Sequence, residues 1–321
     1  MGSADKCRAG EGGAVELWER RTDGGLRFGL QVDPLSCVLR LGERQSVGLR
    51  FGGRRRQRKE KAERYVWGNG RAIYQCLIHT SPRPQAQKKE VHCGKSWKKI
   101  MLDYSCTVEY YVTHFLVHES KAKLGQKHIQ TLRIDSIDRG TSRWRGADIL
   151  VFNTAHWWTH YKTKAGINYY QEGNRVHAQL DVSTAFRRAL MTWASWVDRK
   201  INPQKTKVFF RSLAPFHFRG GQWNSGGHCI KATQPLNETP STCYSEKSIV
   251  VEEVIKKMKT PVTFLNITNL TGYRTDGHPS IFGGKSGKRS SSNVQDCSHW
   301  CLPGVPDTWN EILYFLLQSK R

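Results

Sequence analysis

The chain has 321 residues, 38% hydrophobic and 11% aromatic, which is enough for a large folded core and excludes an intrinsically disordered protein. Lysine and arginine outnumber aspartate and glutamate by 51 to 27, giving a formal net charge of +24. A charge of this size attracts nucleic acid, anionic membrane or acidic polysaccharide alike, so it identifies no single partner. No stretch reaches the roughly 20 apolar residues that span a bilayer, and residues 1–20 lack the apolar core of a signal peptide.

The first part of the chain, residues 1–68, is a basic leader rich in glycine and arginine, with no sustained hydrophobic period. Its basic run RRRQRK, at 54–59, is typical of a solvated segment, or otherwise of a nuclear-localisation or nucleic-acid patch. We therefore divide the chain into this leader and a folded domain that covers residues 69–321.

Short apolar runs alternate with amphipathic segments in the second half of the chain. The apolar runs predict buried strands at 147–152, 207–211 and 261–267. A helix is predicted from Phe186 to about Lys200, and another over 250–258 with Ser245 as its cap. This alternation predicts an α/β fold, with a parallel sheet covered by helices and active groups on the loops beyond the carboxyl ends of the strands.

The segment 295–301, QDCSHWC, precedes a final helix that a capping box predicts to begin near Thr308. Its residues alone leave three interpretations open. Cysteine and histidine are zinc ligands, but no fourth ligand stands nearby at the usual spacing. Cys297 and Cys301 could instead form disulfides with cysteines elsewhere. Asp296 and His299 could be an acid and the imidazole that it orients as a general base.

The cysteines and the glycosylation sequons favour an oxidising compartment. The chain has nine cysteines, an odd number that is compatible with several bridges and a leftover thiol. Three acceptor triplets for N-glycosylation lie close together, at Asn237, Asn266 and Asn269. Both features are typical of secretory proteins, which contrasts with the lack of a secretory signal in the leader.

Several longer stretches resemble the plant trichome birefringence-like family. They are DYSCTVEYYVTHFLVHE at 103–119, LRIDSI at 132–137, ADILVFNTAHWW at 147–158, FRS at 210–212, GQWNSGGHC at 221–229 and DCSHWCLPGVPD at 296–307. The resemblance covers about residues 69–321, in order and at high specificity.

The resemblance implies an O-acetyltransferase of plant cell-wall polysaccharides, such as xylan, mannan, xyloglucan or pectin, on an SGNH/GDSL-like three-layer α/β fold with helices on both faces. It also implies a glycoprotein anchored in the Golgi membrane and facing the lumen, with no nucleic-acid partner. The family uses a Ser-His-Asp acyl-enzyme mechanism, and Asp296 and His299 match its acid and base. No bound cofactor or metal is expected, and the acetyl donor is not identified.

The sequence departs from the family at the nucleophile. No Gly-Asp-Ser occurs in the chain, and the nearest stretch, ERYVWGNGRAIYQCL at 63–77, places Tyr65 where the serine belongs. The family's membrane anchor is also absent, so we expect residues 1–68 to be disordered or foreign to the family, through an alternative exon or a faulty gene model. Two main hypotheses follow: an acetyltransferase, inactive in this chain if the serine is required, or a non-catalytic homologue that binds wall glycan. A basic nucleic-acid binder is a third, which rests on charge alone.

Other residues are candidates for binding or structure. Asn153 is an oxyanion-hole donor or a turn cap. His156 and Trp157 are candidates for contact with sugar, although tryptophan is more often a core residue. Arg211 would hold a carboxylate or orient the acetyl donor, or form a structural ion pair. Four cysteines lie within the family-like stretches and are the disulfide candidates: Cys106, Cys229, Cys297 and Cys301.

Overall fold

The computed structural model describes residues 113–238, 245–282, 295–301 and 304–319, together with six strands nearer the amino terminus. Those six strands are β1 (Leu17–Thr22), β2 (Gly25–Leu30), β3 (Cys37–Leu41), β4 (Lys88–Cys93), β5 (Ser96–Met101) and β6 (Cys106–Tyr111). Tyr65 and most of the leader lie outside the described residues, so the predicted domain division and the predicted origin of the leader stay predictions.

A seven-stranded mixed sheet organises the site. It contains β9 (Ile149–Phe152), β12 (Lys207–Arg211) and β13 (Val262–Leu265), in the order β13-β12-β9-β3-β6-β5-β4. β9, β12 and β13 pair in parallel, whereas β3 runs antiparallel to both β9 and β6. All four residues of β9 are buried, as expected for a parallel strand that is covered on both faces.

A second, smaller sheet has four strands in the order β11-β10-β8-β7. Its strands are β7 (Val117–Leu124), β8 (Lys127–Ile137), β10 (Tyr170–Glu172) and β11 (Arg175–Val176). β7 and β8 form a long antiparallel hairpin whose exposed residues outnumber its buried ones. The amino-terminal strands β1 and β2 pair only with each other among the strands described.

Helices pack on both faces of the seven-stranded sheet. They are α1 (Val182–Lys200), α2 (Glu246–Ile255), α3 (Thr268–Gly272), α4 (Pro279–Phe282) and α5 (Val305–Ser319). Phe210 of β12 contacts Trp193 of α1, with ring centroids 5.0 Å apart. Arg211, the next residue, points to the opposite face and lies 5.3 Å from the ring centroid of Trp309 on α5. The predicted α/β architecture with helices on both faces is therefore confirmed.

Helix caps explain where the helices begin. Asp181 accepts hydrogen bonds from Ser183 N and Thr184 N, at 2.8 and 3.0 Å, so α1 begins four residues before the predicted Phe186. Ser245 caps α2 as predicted, accepting from Ser248 N at 3.2 Å.

The predicted start of the last helix was wrong. α5 begins at Val305 and not near Thr308. Pro306 and Asp307 suit the first turn of a helix, because proline has no amide hydrogen to lose there and a carboxylate favours the amino-terminal end of the dipole. Asp307 also accepts a hydrogen bond from Gly304 N at 2.7 Å, which holds the entry to the helix. No helix among the residues described is both long and apolar enough to cross a membrane.

Replacement of Trp193 tests the packing of α1 on the sheet. Trp193 is fully buried and contacts both Phe152 and Phe210. We expect Trp193→Ala to lower the free energy of unfolding by about 3–5 kcal/mol, because the cavity is too large to collapse. Urea unfolding followed by circular dichroism measures this. Met191→Ala, at an exposed position of the same helix, serves as the control and should change stability by less than about 0.5 kcal/mol. Equal effects of the two changes would contradict the packing described.

Candidate active site

The candidate site lies on loops beyond the carboxyl ends of the parallel strands. β9, β12 and β13 end at Phe152, Arg211 and Leu265, and their loops meet at one edge of the sheet because the strands are parallel. The segment 295–301 joins these loops through backbone hydrogen bonds. His217 N donates to Cys297 O at 2.9 Å, and Cys301 N donates to Gly277 O at 3.0 Å.

Asp296 and His299 form a carboxylate–imidazole pair in this segment. His299 Nδ1 lies 2.9 Å from Asp296 Oδ1 and 2.8 Å from Oδ2. The side chains are 17% exposed for Asp296 and 29% exposed for His299, so the pair is shielded but the imidazole reaches solvent. A carboxylate only accepts, so Nδ1 carries the proton in the neutral ring and Nε2 is the basic nitrogen. This is the tautomer required of a general base.

The environment of Asp296 keeps it ionised. Burial, the largest influence, raises the pKa of Asp296, but the hydrogen bond and charge of His299 together with backbone amides outweigh burial and lower the pKa below its usual value. Those amides are Ser298 N and His299 N, which donate to Oδ1 at 3.3 and 3.0 Å. The carboxylate therefore orients the imidazole and also closes the turn that carries it.

The start of the segment is fixed from two sides. Ser280 Oγ accepts from Asp296 N at 2.5 Å, and Gln295 Oε1 accepts from Cys229 N at 2.9 Å and Ile230 N at 3.1 Å. Each bond joins residues more than ten positions apart in sequence. The backbone of Asp296 is thereby held in place independently of its side chain.

A disulfide between Cys229 and Cys297 reinforces this anchoring. It joins the loop after β12 to the residue that follows Asp296. Because Cys297 is bridged, it is not available as a thiolate, which removes the zinc interpretation of the segment. Of the other two disulfide candidates, Cys106 begins β6 and Cys301 is half-buried beside Gly277.

Two further histidines lie behind the segment and were missed by the sequence analysis. His278 is fully buried, and its Nδ1 donates to the backbone carbonyl of His299 at 2.7 Å. Since a carbonyl only accepts, Nε2 of neutral His278 is the acceptor for His217 Nδ1, at 2.7 Å. Burial lowers the pKa of His278, although its bond to His299 opposes this, so the chain of bonds is held in the neutral form. The sequence gives no local signal for contacts between residues 61 positions apart.

The other predicted site residues lie on the neighbouring loops. Asn153 follows β9 directly and is buried. His156 Nε2 donates to Ala214 O at 2.9 Å, which joins the loops after β9 and β12. Trp157 stacks on His114 with ring centroids 3.7 Å apart. Arg211 is buried beneath Trp309. Their proposed roles in catalysis and binding stay predictions.

Lys247 is a half-buried lysine at the same edge that the sequence analysis did not identify. It lies at the beginning of α2, and its Nζ donates to Ala155 O at 3.1 Å. Burial lowers the pKa of Lys247 to about 8, although the charge of Glu246 opposes the shift. Ala155 has a φ of 148°, a value that residues other than glycine rarely adopt. The lysine therefore supports a strained backbone position two residues after Asn153.

Three serines on the segments that form this edge have structural hydrogen bonds. Ser280 Oγ accepts from Asp296 N, and Ser298 Oγ lies 3.4 Å from Asp296 Oδ1. Ser212 Oγ accepts from Ile267 N and Thr268 N, at 2.9 and 3.1 Å, within the core. None of these three serines follows the family pattern of Gly-Asp-Ser.

The three asparagines of the glycosylation sequons differ in solvent exposure. Asn237 and Asn269 are exposed, whereas Asn266 is half-buried and its Oδ1 accepts from Thr268 N at 3.1 Å. Glycosylation of all three stays a prediction.

Loss of the Cys229–Cys297 bridge is expected to destabilise the fold. The bridged residues are 68 positions apart, and a loop of this length corresponds to roughly 4 kcal/mol of restricted unfolded-state entropy. We expect the double variant Cys229→Ala, Cys297→Ala to lose about this much in urea unfolding without reductant. Wild type and variant measured again with reductant form the control, because their difference should then shrink. A difference that is unchanged by reductant would show that the bridge is not its cause.

The hydrogen-bonded pair of His217 and His278 predicts loss of stability in acid. Burial, assisted by the charge of His278, lowers the pKa of His217 from 6.5 to about 4. The unfolded state therefore binds a proton below pH 6.5 that the folded state does not, so the free energy of unfolding falls as pH decreases from 6.5 to about 4. The slope from one such group is at most about 1.4 kcal/mol per pH unit. Urea unfolding across this range should give a shallower slope for His217→Gln, and parallel curves would contradict the assignment.

Comparison with known proteins identifies the family. Residues 74–316, more than half of the chain, match the model of the PC-esterase family, described as the GDSL/SGNH-like acyl-esterase family found in Pmr5 and Cas1p.

Curated relatives from Arabidopsis thaliana agree with this match. The chain is 64% identical to the protein trichome birefringence-like 6 over 252 residues, which are 77% of this chain and 53% of that protein. It is 51% identical to trichome birefringence-like 1 over 76% of this chain and 46% of that protein. It is 54% identical to trichome birefringence over 69% of this chain and 37% of that protein. The chain thus spans about half the length of the curated relatives it matches. It belongs to the PC-esterase family, among the plant trichome birefringence-like proteins.

Proposed function

We propose that this chain belongs to an enzyme that transfers acetyl groups to hydroxyls of plant cell-wall polysaccharides. The observation that carries the proposal is the pairing of His299 Nδ1 with the Asp296 carboxylate, in a family whose description is acyl-esterase. The pair supplies the base that acyl transfer to a hydroxyl requires. The expected location is the Golgi lumen, which is supported by the Cys229–Cys297 disulfide and the exposed sequons at Asn237 and Asn269.

The family mechanism divides the reaction into two steps. A serine hydroxyl attacks the acetyl carbonyl of the donor while His299 Nε2 accepts its proton, and the donor leaves with that proton. A sugar hydroxyl then attacks the acetyl-serine, His299 accepts the proton of that hydroxyl and returns it to the serine. Asp296 stabilises the imidazolium in both steps without itself becoming protonated.

The chain lacks the Gly-Asp-Ser that supplies this serine, so a second function has a specific observation in its favour. That function is a glycan-binding homologue that does not turn the glycan over. In this case Asp296 would serve the fold, through the amides of Ser298 and His299, and the half-buried imidazole would have no chemical role.

Acetyl transfer by the whole chain separates the two functions. Purified chain is incubated with an acetyl donor and with xylan, mannan, xyloglucan or pectin oligomers, and acetylated products are measured by mass spectrometry. We expect His299→Ala and Asp296→Asn each to reduce the rate by about 100-fold or more, because the base is lost or disoriented. The control is His128→Ala, which removes an exposed histidine on β8 and should leave the rate unchanged.

Product formation that survives His299→Ala would contradict the proposed mechanism. Absence of any product, with oligomer binding retained, would instead support the glycan-binding homologue.

A further inference from the structure

Two large aromatic side chains remain exposed where two loops meet. Tyr161, on the loop after β9, is 65% exposed, and Trp223, on the loop after β12, is 43% exposed. Their ring centroids are 5.4 Å apart and their planes are inclined at 74°. Rings of this size usually contribute to a core, so a pair that meets in solvent indicates a binding surface.

A lysine ammonium lies over the same rings. Lys162 Nζ is 4.4 Å from the ring centroid of Trp157, 5.8 Å from that of Tyr161 and 5.9 Å from that of Trp223. Trp157 is itself held from its other side by stacking on His114. The ammonium therefore lies within 6 Å of three aromatic ring centroids, at the distance of a cation–π contact. Lys162 is nevertheless an exposed residue, so its charge is accessible to a ligand.

The loop that carries Trp223 has a closed geometry. Arg219 and His228 exchange backbone hydrogen bonds of 2.9 Å at its base. Within the loop, Gly227 N donates to Gln222 O at 2.9 Å, and Gln222 N donates to Ser225 Oγ at 2.7 Å. The indole is thus presented by a backbone that is already folded, which reduces the entropy lost on binding.

The aromatic surface is connected to the Asp296–His299 pair. Cys229, the residue after the base of the Trp223 loop, is bridged to Cys297, the residue after Asp296. Tyr161 and Trp157 lie on the loop after β9, and that loop leaves the same edge of the sheet as the loop after β12. A ligand on these rings therefore binds on loops that begin at the edge where the proposed reaction takes place.

We propose that Tyr161, Trp223 and Lys162 form a subsite for a uronic acid residue of an acidic glycan. This rests on the proposed function, of which it would define the acceptor. The apolar face of a pyranose ring packs on an aromatic ring, and the Lys162 ammonium pairs with the sugar carboxylate. A neutral sugar would use the rings but not the cation. The net charge of +24 adds long-range attraction for an acidic polymer.

A matched pair of ligands tests the subsite. Binding of hexagalacturonate and of its fully methyl-esterified form is measured by isothermal titration calorimetry on the whole chain. The two ligands share their pyranose faces and differ in charge. We expect the wild type to bind the acid form at least about fivefold more tightly than the ester, because one exposed ion pair contributes about that much and the long-range field adds to it. Trp223→Ala should weaken binding of both forms by about tenfold, and Tyr161→Ala should act in the same direction.

Charge variants separate the local contact from the long-range field. Lys162→Met keeps the aliphatic stem and should reduce the preference for the acid form to the part that the long-range field supplies. Lys123→Met, on the exposed β7 strand, removes the same charge elsewhere and should preserve the preference. Circular dichroism confirms that each variant is folded.

Several outcomes would overturn the subsite. They are equal binding of acid and ester by the wild type, equal loss in the two lysine variants, or unchanged binding by Trp223→Ala. These measurements require no acetyl transfer. Acid-selective binding without turnover would therefore refute the proposed enzyme and support the subsite. Turnover that depends on His299, with no preference for the acid form, would support the enzyme and refute the subsite.

Discussion

The parallel pairing of β9, β12 and β13 determines where the functional side chains lie. Parallel strands deliver their carboxyl ends to one edge, so the loops that begin at Asn153, Ser212 and Asn266 start side by side. The segment with Asp296 and His299 comes from much later in the chain and is attached to that edge by hydrogen bonds and a disulfide. Without the parallel register, the pair would have no neighbouring loops on which to form a site.

A second constraint acts behind the pair. The neutral chain from His217 through His278 to the carbonyl of His299 fixes a backbone group of the residue whose side chain is the proposed base. Buried polar groups are costly unless they are paired, so this arrangement is stable in one protonation state. Asp296, in contrast to the two neutral histidines, is held in its charged form by the hydrogen bonds that it accepts. The orientation of the His299 ring is therefore specified by the neutral histidines that bind its backbone and by the charged carboxylate that binds its side chain.

Local sequence patterns predicted the parts of the structure that depend on local interactions. β12 has the predicted bounds, and Ser245 caps α2, because alternation and capping involve residues close in sequence. The Asp296–His299 pair also lies within one turn. The start of α5 was predicted incorrectly because the capping-box pattern at Thr308 is not used, whereas Asp307 makes the equivalent bond to Gly304 N. Contacts such as Tyr161 with Trp223, or His217 with His278, join distant segments and leave no periodic trace in the sequence.

The geometry of the pair bears on whether it serves only the fold. Closing the turn requires the carboxylate of Asp296 and the amides of Ser298 and His299, and it does not require an imidazole. Nδ1 of His299 is instead bound to the carboxylate at 2.8 Å, which leaves Nε2 as the nitrogen that can accept a proton. The hydrogen bonds to the turn offset the free-energy cost of holding a carboxylate in this shielded place. The orientation of the imidazole serves a reaction only if a hydroxyl approaches Nε2. That requirement favours a chemical role for the pair over a purely structural one.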